Sequence, residues 1–67
     1  MEIRELRIKK NLTQAELAEK VGISQQHLSK IESHLIVPKY STLEKILNVL
    51  GYKITFKKED TYDRHPS

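Results

Sequence analysis

Between Thr13 and Ser24 the chain carries a helix start, a helix stop and a second helix start in immediate succession, and this order limits how the segment can fold. Thr13 stands three residues before Glu16, the spacing at which a hydroxyl and a carboxylate reciprocally satisfy free amides in a helix's first turn. Gly22 supplies the left-handed conformation in which helices commonly end. Ile23 beyond it is placed for the hydrophobic contact that accompanies such ends. Ser24 is then a second N-cap, ahead of Leu28 and Ile31 at helical spacing. The pattern predicts one helix over Gln14 to Val21 and another from Gln25 to about Ser33, crossing steeply through a tight turn. Ala18 is small where the two would meet, and Leu17, Val21, Ile23, Leu28 and Ile31 are the apolar positions that would close a core beneath both.

Sparse punctuation, two glycines and two prolines, divides the rest of the chain. Residues Glu2 to Lys10 hold Ile3 and Leu6 at i, i+3 spacing among charges and finish on two lysines near the negative end of the dipole. A short amphipathic helix is expected there, terminated by Asn11. Ser41 and Glu44 repeat the capping-box spacing. Leu43, Ile46, Leu47 and Leu50 follow on one face, with Gly51 at the C-terminal cap position, so a fourth helix is expected after Ser41. The segment from Leu35 to Tyr40 lacks helical periodicity and contains Pro38, which pushes its predecessor toward extended geometry; it reads as a connecting loop. From Tyr52 to Lys57 the period changes to two, in β-branched and aromatic residues, the signature of a half-buried strand. The polar run from Glu59 to Ser67 reads as a frayed tail. The expected fold is all-α, four helices with a short C-terminal β-strand, in one domain over residues 1–58 with a tail over 59–67.

Size and composition exclude much else. A domain of 67 residues buries only about 60% of the surface its unfolded chain exposes. The chain has no cysteine, and its three histidines lack metal-site spacing, so packing or a partner must supplement the core. His27 and His34 would stand roughly 10 Å apart along a helix, too far to share a metal. No nucleophile, base and orienting group converge and no phosphate loop is present, so neither an enzyme nor a cofactor is expected. The first residues are charged and amphipathic and no long apolar run occurs. Secretory and membrane-spanning readings therefore fall away, and the cytoplasm is the expected compartment. The net charge of +3, from 12 basic and 9 acidic residues, permits nucleic-acid binding but is too mild to argue for it.

The run from Thr13 to Gln26, TQAELAEKVGISQQ, resembles the helix-turn-helix family of lambdoid phage repressors, Cro proteins and related bacterial regulators. The resemblance continues through Leu28, Ile31, Glu32, Pro38, Thr42, Leu43, Leu50 and Gly51, covering about residues 3 to 51. It implies a lambda-repressor-like domain whose third helix enters the major groove of double-stranded DNA while the second crosses the backbone, and which binds operators as a homodimer.

On that reading the exposed start of the third helix presents Ser24, Gln25 and Gln26, then Ser29 and Lys30 one turn later, as candidate base contacts. A glutamine amide matches adenine N6 and N7 as donor and acceptor, and a lysine donates to guanine O6 or N7. The competing reading is an ordinary solvated helix start. Gln14, at the positive end of the second helix, suits a phosphate oxygen, and the family uses this glutamine for a backbone contact. Lys39 and Tyr40 resemble the family's second phosphate-contacting segment. Glu32 on the same side would repel phosphate unless paired. The family resemblance implies that Arg7 pairs with it, and Arg7 is also a candidate phosphate contact.

Three features depart from the family pattern. His34 stands where many relatives carry glycine, so either it adopts a left-handed conformation or the helix ends differently. Leu35, Ile36 and Val37 replace a polar loop, suggesting a partner surface or, the reading preferred here, extra core. Where many relatives have a fifth helix, the strand from Tyr52 to Lys57 is expected instead, pairing with its copy in a second subunit through Tyr52, Ile54 and Phe56. That ending resembles small antitoxin-type regulators of the family, which adds a toxin protein as an alternative partner. A protein-interaction adaptor without DNA binding is a further alternative.

Overall fold

The computed structural model describes residues 2–53. Among these residues the chain forms four helices, α1 (Ile3–Lys9), α2 (Gln14–Val21), α3 (Gln25–Glu32) and α4 (Tyr40–Val49). The start of α2 is doubly capped: Thr13 Oγ1 accepts from the Glu16 amide at 3.0 Å, and Glu16 Oε1 accepts from the Thr13 amide at 2.8 Å. Ser24 caps α3 singly, its hydroxyl accepting from the His27 amide at 3.0 Å.

All four helices end on a residue in the left-handed region, Asn11 (φ 59°), Gly22 (φ 88°), His34 (φ 64°) and Gly51 (φ 94°). At each end a later amide turns back onto a carbonyl of the last turn: Leu12 to Arg7, Ile23 to Ala18, Leu35 to Lys30 and Tyr52 to Leu47. These are the long-range closures of the Schellman arrangement, which satisfies carbonyls that a helix leaves without partners. His34 therefore takes the left-handed conformation itself and α3 ends like the others. Asn and His tolerate the region better than most side chains do.

The core lies where the helices converge. Leu17, Ala18 and Val21 of α2, Leu28 and Ile31 of α3, Ile46 of α4, Leu50 beyond it and Ile3 of α1 form one buried cluster. Leu6, Leu12, Ile23, Leu43 and Val49 pack at its margin. The helix α2 is the hub, packing against both α3 and α4. Leu17, Leu28, Ile46 and Leu50 are the largest fully buried side chains, and each such burial contributes about 1.5–3 kcal/mol. Among the described residues no helix is long and apolar enough to cross a membrane.

Three sequence expectations need correction. The capping box of Ser41 and Glu44 does not form: α4 begins at Tyr40 with Lys39 as its N-cap and without a side-chain cap. Ser41 is already inside the first turn, so its hydroxyl is not at the boundary where free amides meet it. Lys39 and Tyr40 accordingly open α4 instead of ending a loop. The apolar run of Leu35 and Val37 is not core, since these two side chains are 73% and 94% exposed.

The strand expected from Tyr52 is also not supported. Tyr52 and Lys53 belong to neither helix nor strand, and the Tyr52 amide is spent on the Leu47 carbonyl at 2.7 Å. Tyr52 thus serves the end of α4. The remainder of that expectation, with Ile54 and Phe56, and the tail over 59–67 lie outside the described residues.

Candidate nucleic-acid interface

Four polar side chains distant in sequence form one network that runs along α3 from its last residue to its first. Arg7, on α1, donates from Nε to Glu32 Oε2 at 2.7 Å and from Nη2 to Glu32 Oε1 at 3.1 Å, a two-pronged match of planar guanidinium to carboxylate. Its Nη1 donates to the Leu12 carbonyl at 2.9 Å, so the turn after α1 also holds the arginine. Gln14 Nε2 donates to Glu32 Oε1 at 3.2 Å, and Gln14 Oε1 accepts from Gln25 Nε2 at 3.4 Å. A continuous chain of contacts thus runs from α1 through the end of α3 to the start of α2, and back to the first residue of α3.

The Glu32 side chain is only 4% exposed and that of Arg7 only 11%. A carboxylate this buried demands a cation and hydrogen bonds, and Arg7 with Gln14 supplies both. The negative charge of Glu32 is therefore cancelled locally.

A count of donors shows what remains for a ligand. The Gln14 amide nitrogen carries two hydrogens and gives one to Glu32. Gln25 gives one of its two to Gln14 and keeps the other, together with its carbonyl oxygen. Ser24 uses its hydroxyl oxygen to cap α3, which leaves the hydroxyl hydrogen to donate elsewhere. Gln26, Ser29 and Lys30 are exposed on α3. Among the described residues, then, α3 presents amide, hydroxyl and ammonium groups, and no carboxylate in its first turn.

The positions singled out from sequence fall into two groups. Arg7, Gln14, Gln25 and Glu32 are brought together by the network, and Ser29 shares a polar groove with Gln14, Glu32, Ser33 and Arg4. Lys39 and Tyr40 stand apart in the chain, at the opening of α4. Sequence reasoning missed the Leu12 carbonyl, a backbone group without a sequence signal, and Arg4, one of several charges on α1. It read Gln14 as a phosphate ligand and did not foresee its hydrogen bonds to Glu32 and Gln25.

Comparison with known proteins identifies the family. Residues 3–57 match the family model described as helix-turn-helix. The immunity repressor protein of Bacillus phage phi105 is 38% identical over 53 residues, a stretch covering 79% of this chain and 37% of that protein. The chain thus spans well under half the length of that relative. No solved structure matches significantly. With the family model covering most of the sequence and α2, the Gly22 turn and α3 forming its central motif, the chain belongs to the helix-turn-helix family.

Proposed function

We propose that the chain is a sequence-specific DNA-binding transcription regulator, acting as a repressor that places α3 in the major groove. The observation that carries this reading is the polar start of α3, which has no acid in its first turn, with Glu32 at the far end of the helix neutralised by Arg7 and the leading glutamine held by a hydrogen bond from Gln25 Nε2 to Gln14. On this reading Gln25 and Gln26 pair with adenine, Lys30 donates to guanine, and Ser24 and Ser29 donate to base edges or the adjacent backbone. Gln14 directs its remaining amide hydrogen at a phosphate, and Lys39 and Tyr40 contact phosphate from the start of α4. Arg7 acts by holding Glu32, with little surface left for a phosphate of its own.

The chain works as a homodimer on two half-sites about one helical turn apart. Its exposed Leu35 and Val37 support a protein contact of this kind, since apolar side chains grouped on a surface mark contact sites. The same loop supports a second reading, in which the regulator also binds a partner protein such as a toxin. Sedimentation of the chain alone, with and without the Leu35→Ser and Val37→Ser changes, separates self-association from a need for another protein.

Selection of bound sequences from random DNA tests the main reading. Recovery of a two-fold symmetric sequence is expected. Binding of the pool without enrichment would overturn sequence specificity and leave only a general affinity for polyanions.

A further inference from the structure

We infer that Arg4 is a further DNA-contacting residue, which takes a backbone phosphate at the groove between α1 and α3; this rests on the DNA-binding reading above. Arg4 lines that groove with Gln14, Ser29, Glu32 and Ser33. It therefore flanks Gln14, the proposed phosphate ligand on α2, and faces the same cleft as Ser29 of the recognition helix.

Helix stability does not explain an arginine at this position. Arg4 is the second residue of α1, and a cation in a first turn opposes the helix dipole. Glu5 in the same turn favours the dipole, but among the described residues Arg4 itself makes no hydrogen bond or ion pair. The carboxylate sharing the groove, Glu32, is engaged by Arg7 and Gln14. Among the described residues the guanidinium of Arg4 is thus exposed and unpaired, with a planar fork suited to two phosphate oxygens at once.

Across the groove the α3 side is built of small hydroxyl residues. Ser33 turns its hydroxyl hydrogen back onto the Ser29 carbonyl at 2.9 Å, so this wall presents little bulk and no carboxylate beyond the paired Glu32. A sugar-phosphate strand running past Gln14 has room to continue to Arg4. The phosphate contacts of α2 would then extend onto α1.

The test measures binding of the full chain to its selected DNA sequence, and to an unrelated duplex, over a range of salt concentrations. Wild type is compared with Arg4→Ala, Arg4→Lys and Lys45→Ala; the last removes an equal charge from α4, outside the groove. Arg4→Ala is expected to weaken binding about tenfold at low salt and to lower the slope of log affinity against log salt by about one. The loss should be alike on both duplexes. Arg4→Lys should restore the slope and only part of the affinity, whereas Lys45→Ala should change both much less. The thermal midpoint of Arg4→Ala should be unchanged or raised, because a cation has left the positive end of α1.

If Arg4→Ala and Lys45→Ala behave alike while wild type binds, the Arg4 assignment is overturned and the DNA reading stands. Absence of salt-dependent binding by the wild-type chain would overturn both.

Discussion

Arg7 and Glu32, 25 residues apart in the chain, meet through two parallel hydrogen bonds of 2.7 and 3.1 Å, with both side chains nearly removed from solvent. The pair ties α1 to the last residue of α3. Either partner left alone would be a buried unpaired charge, so Arg7→Ala or Glu32→Ala should each destabilise by about 3–5 kcal/mol, a large share of what so small a domain has. The double variant should cost less than the sum of the two by about 1–3 kcal/mol. Urea unfolding of all four proteins measures this, and strictly additive losses would show that the contact is energetically idle.

The cap of α2 gives a pH dependence with a definite sign. The backbone amide of Thr13, and then its hydroxyl, hold the Glu16 carboxyl below its ordinary 4.5. A carboxyl depressed in the folded state adds stability above its unfolded value, and that stability is lost as pH falls through the folded value. The gap in urea midpoint between wild type and Glu16→Gln should therefore be widest at neutral pH and should close below about pH 4.5. Thr13→Ala should cost about 1 kcal/mol at neutral pH. A gap that is constant with pH would mean that Glu16 acts only through its shape.

The four left-handed helix ends predict opposite signs at glycine and non-glycine positions. An added Cβ at Gly22 meets no atom within 4 Å, and at Gly51 it meets only the flexible tip of Lys10, at 3.3 Å. Gly22→Ala and Gly51→Ala should thus cost similar amounts, about 1–2 kcal/mol, set by backbone conformation. His34→Gly removes that strain but loosens the unfolded chain, so it should leave stability unchanged or raise it by up to about 1 kcal/mol. Its contact with Glu2, 3.5 Å between two mostly exposed groups, adds little to keep. Thermal unfolding that showed a loss for His34→Gly equal to that for Gly22→Ala would contradict this assignment.

These ends also show why some of the fold was legible in sequence and some was not. Gly22 and the Thr13 to Glu16 box announce themselves because each residue type does one local thing well, and both boundaries of α2 followed from them. Ser41 with Glu44 has the same spacing and failed, because Pro38 and Lys39 had already set where α4 begins. Leu35 and Val37 misled for a related reason: apolar character says that burial is favourable, not that a cavity exists to receive the side chain. Within the interface, residue types suggested which groups face a ligand. The links from Gln14 to Glu32 and Gln25 depend on how three helices are placed, which local patterns do not encode.

Those links change what substitution at the interface should do. Gln25→Ala and Gln26→Ala should each relax discrimination at particular base pairs, with about 1–3 kcal/mol lost on the preferred base. Gln14→Ala should weaken every sequence and, in addition, release Gln25, so the Gln14 and Gln25 changes should be less than additive on the selected DNA. Affinities of the singles and the double on matched and mismatched duplexes measure this. Independent effects would indicate that the 3.4 Å contact does not orient Gln25.

Leu35→Ser with Val37→Ser should leave unfolding within about 0.5 kcal/mol of wild type, because exposed side chains away from special features contribute little to the fold. Self-association should weaken in the same protein. Sedimentation at several concentrations reads this directly, and an unchanged oligomeric state would overturn the proposed role of this loop in self-association.

The contact between Gln25 and Gln14 also sets the boundary of any attempt to transplant the DNA preference proposed for this domain onto a related scaffold. The outward residues of α3 alone would be an incomplete graft, since the orientation of their leading glutamine is held by a side chain on another helix. A working transplant must move Gln14 with them. The recipient must also provide the glutamate to which Gln14 donates and the arginine paired with that glutamate, so the smallest portable unit of the proposed specificity includes parts of three helices.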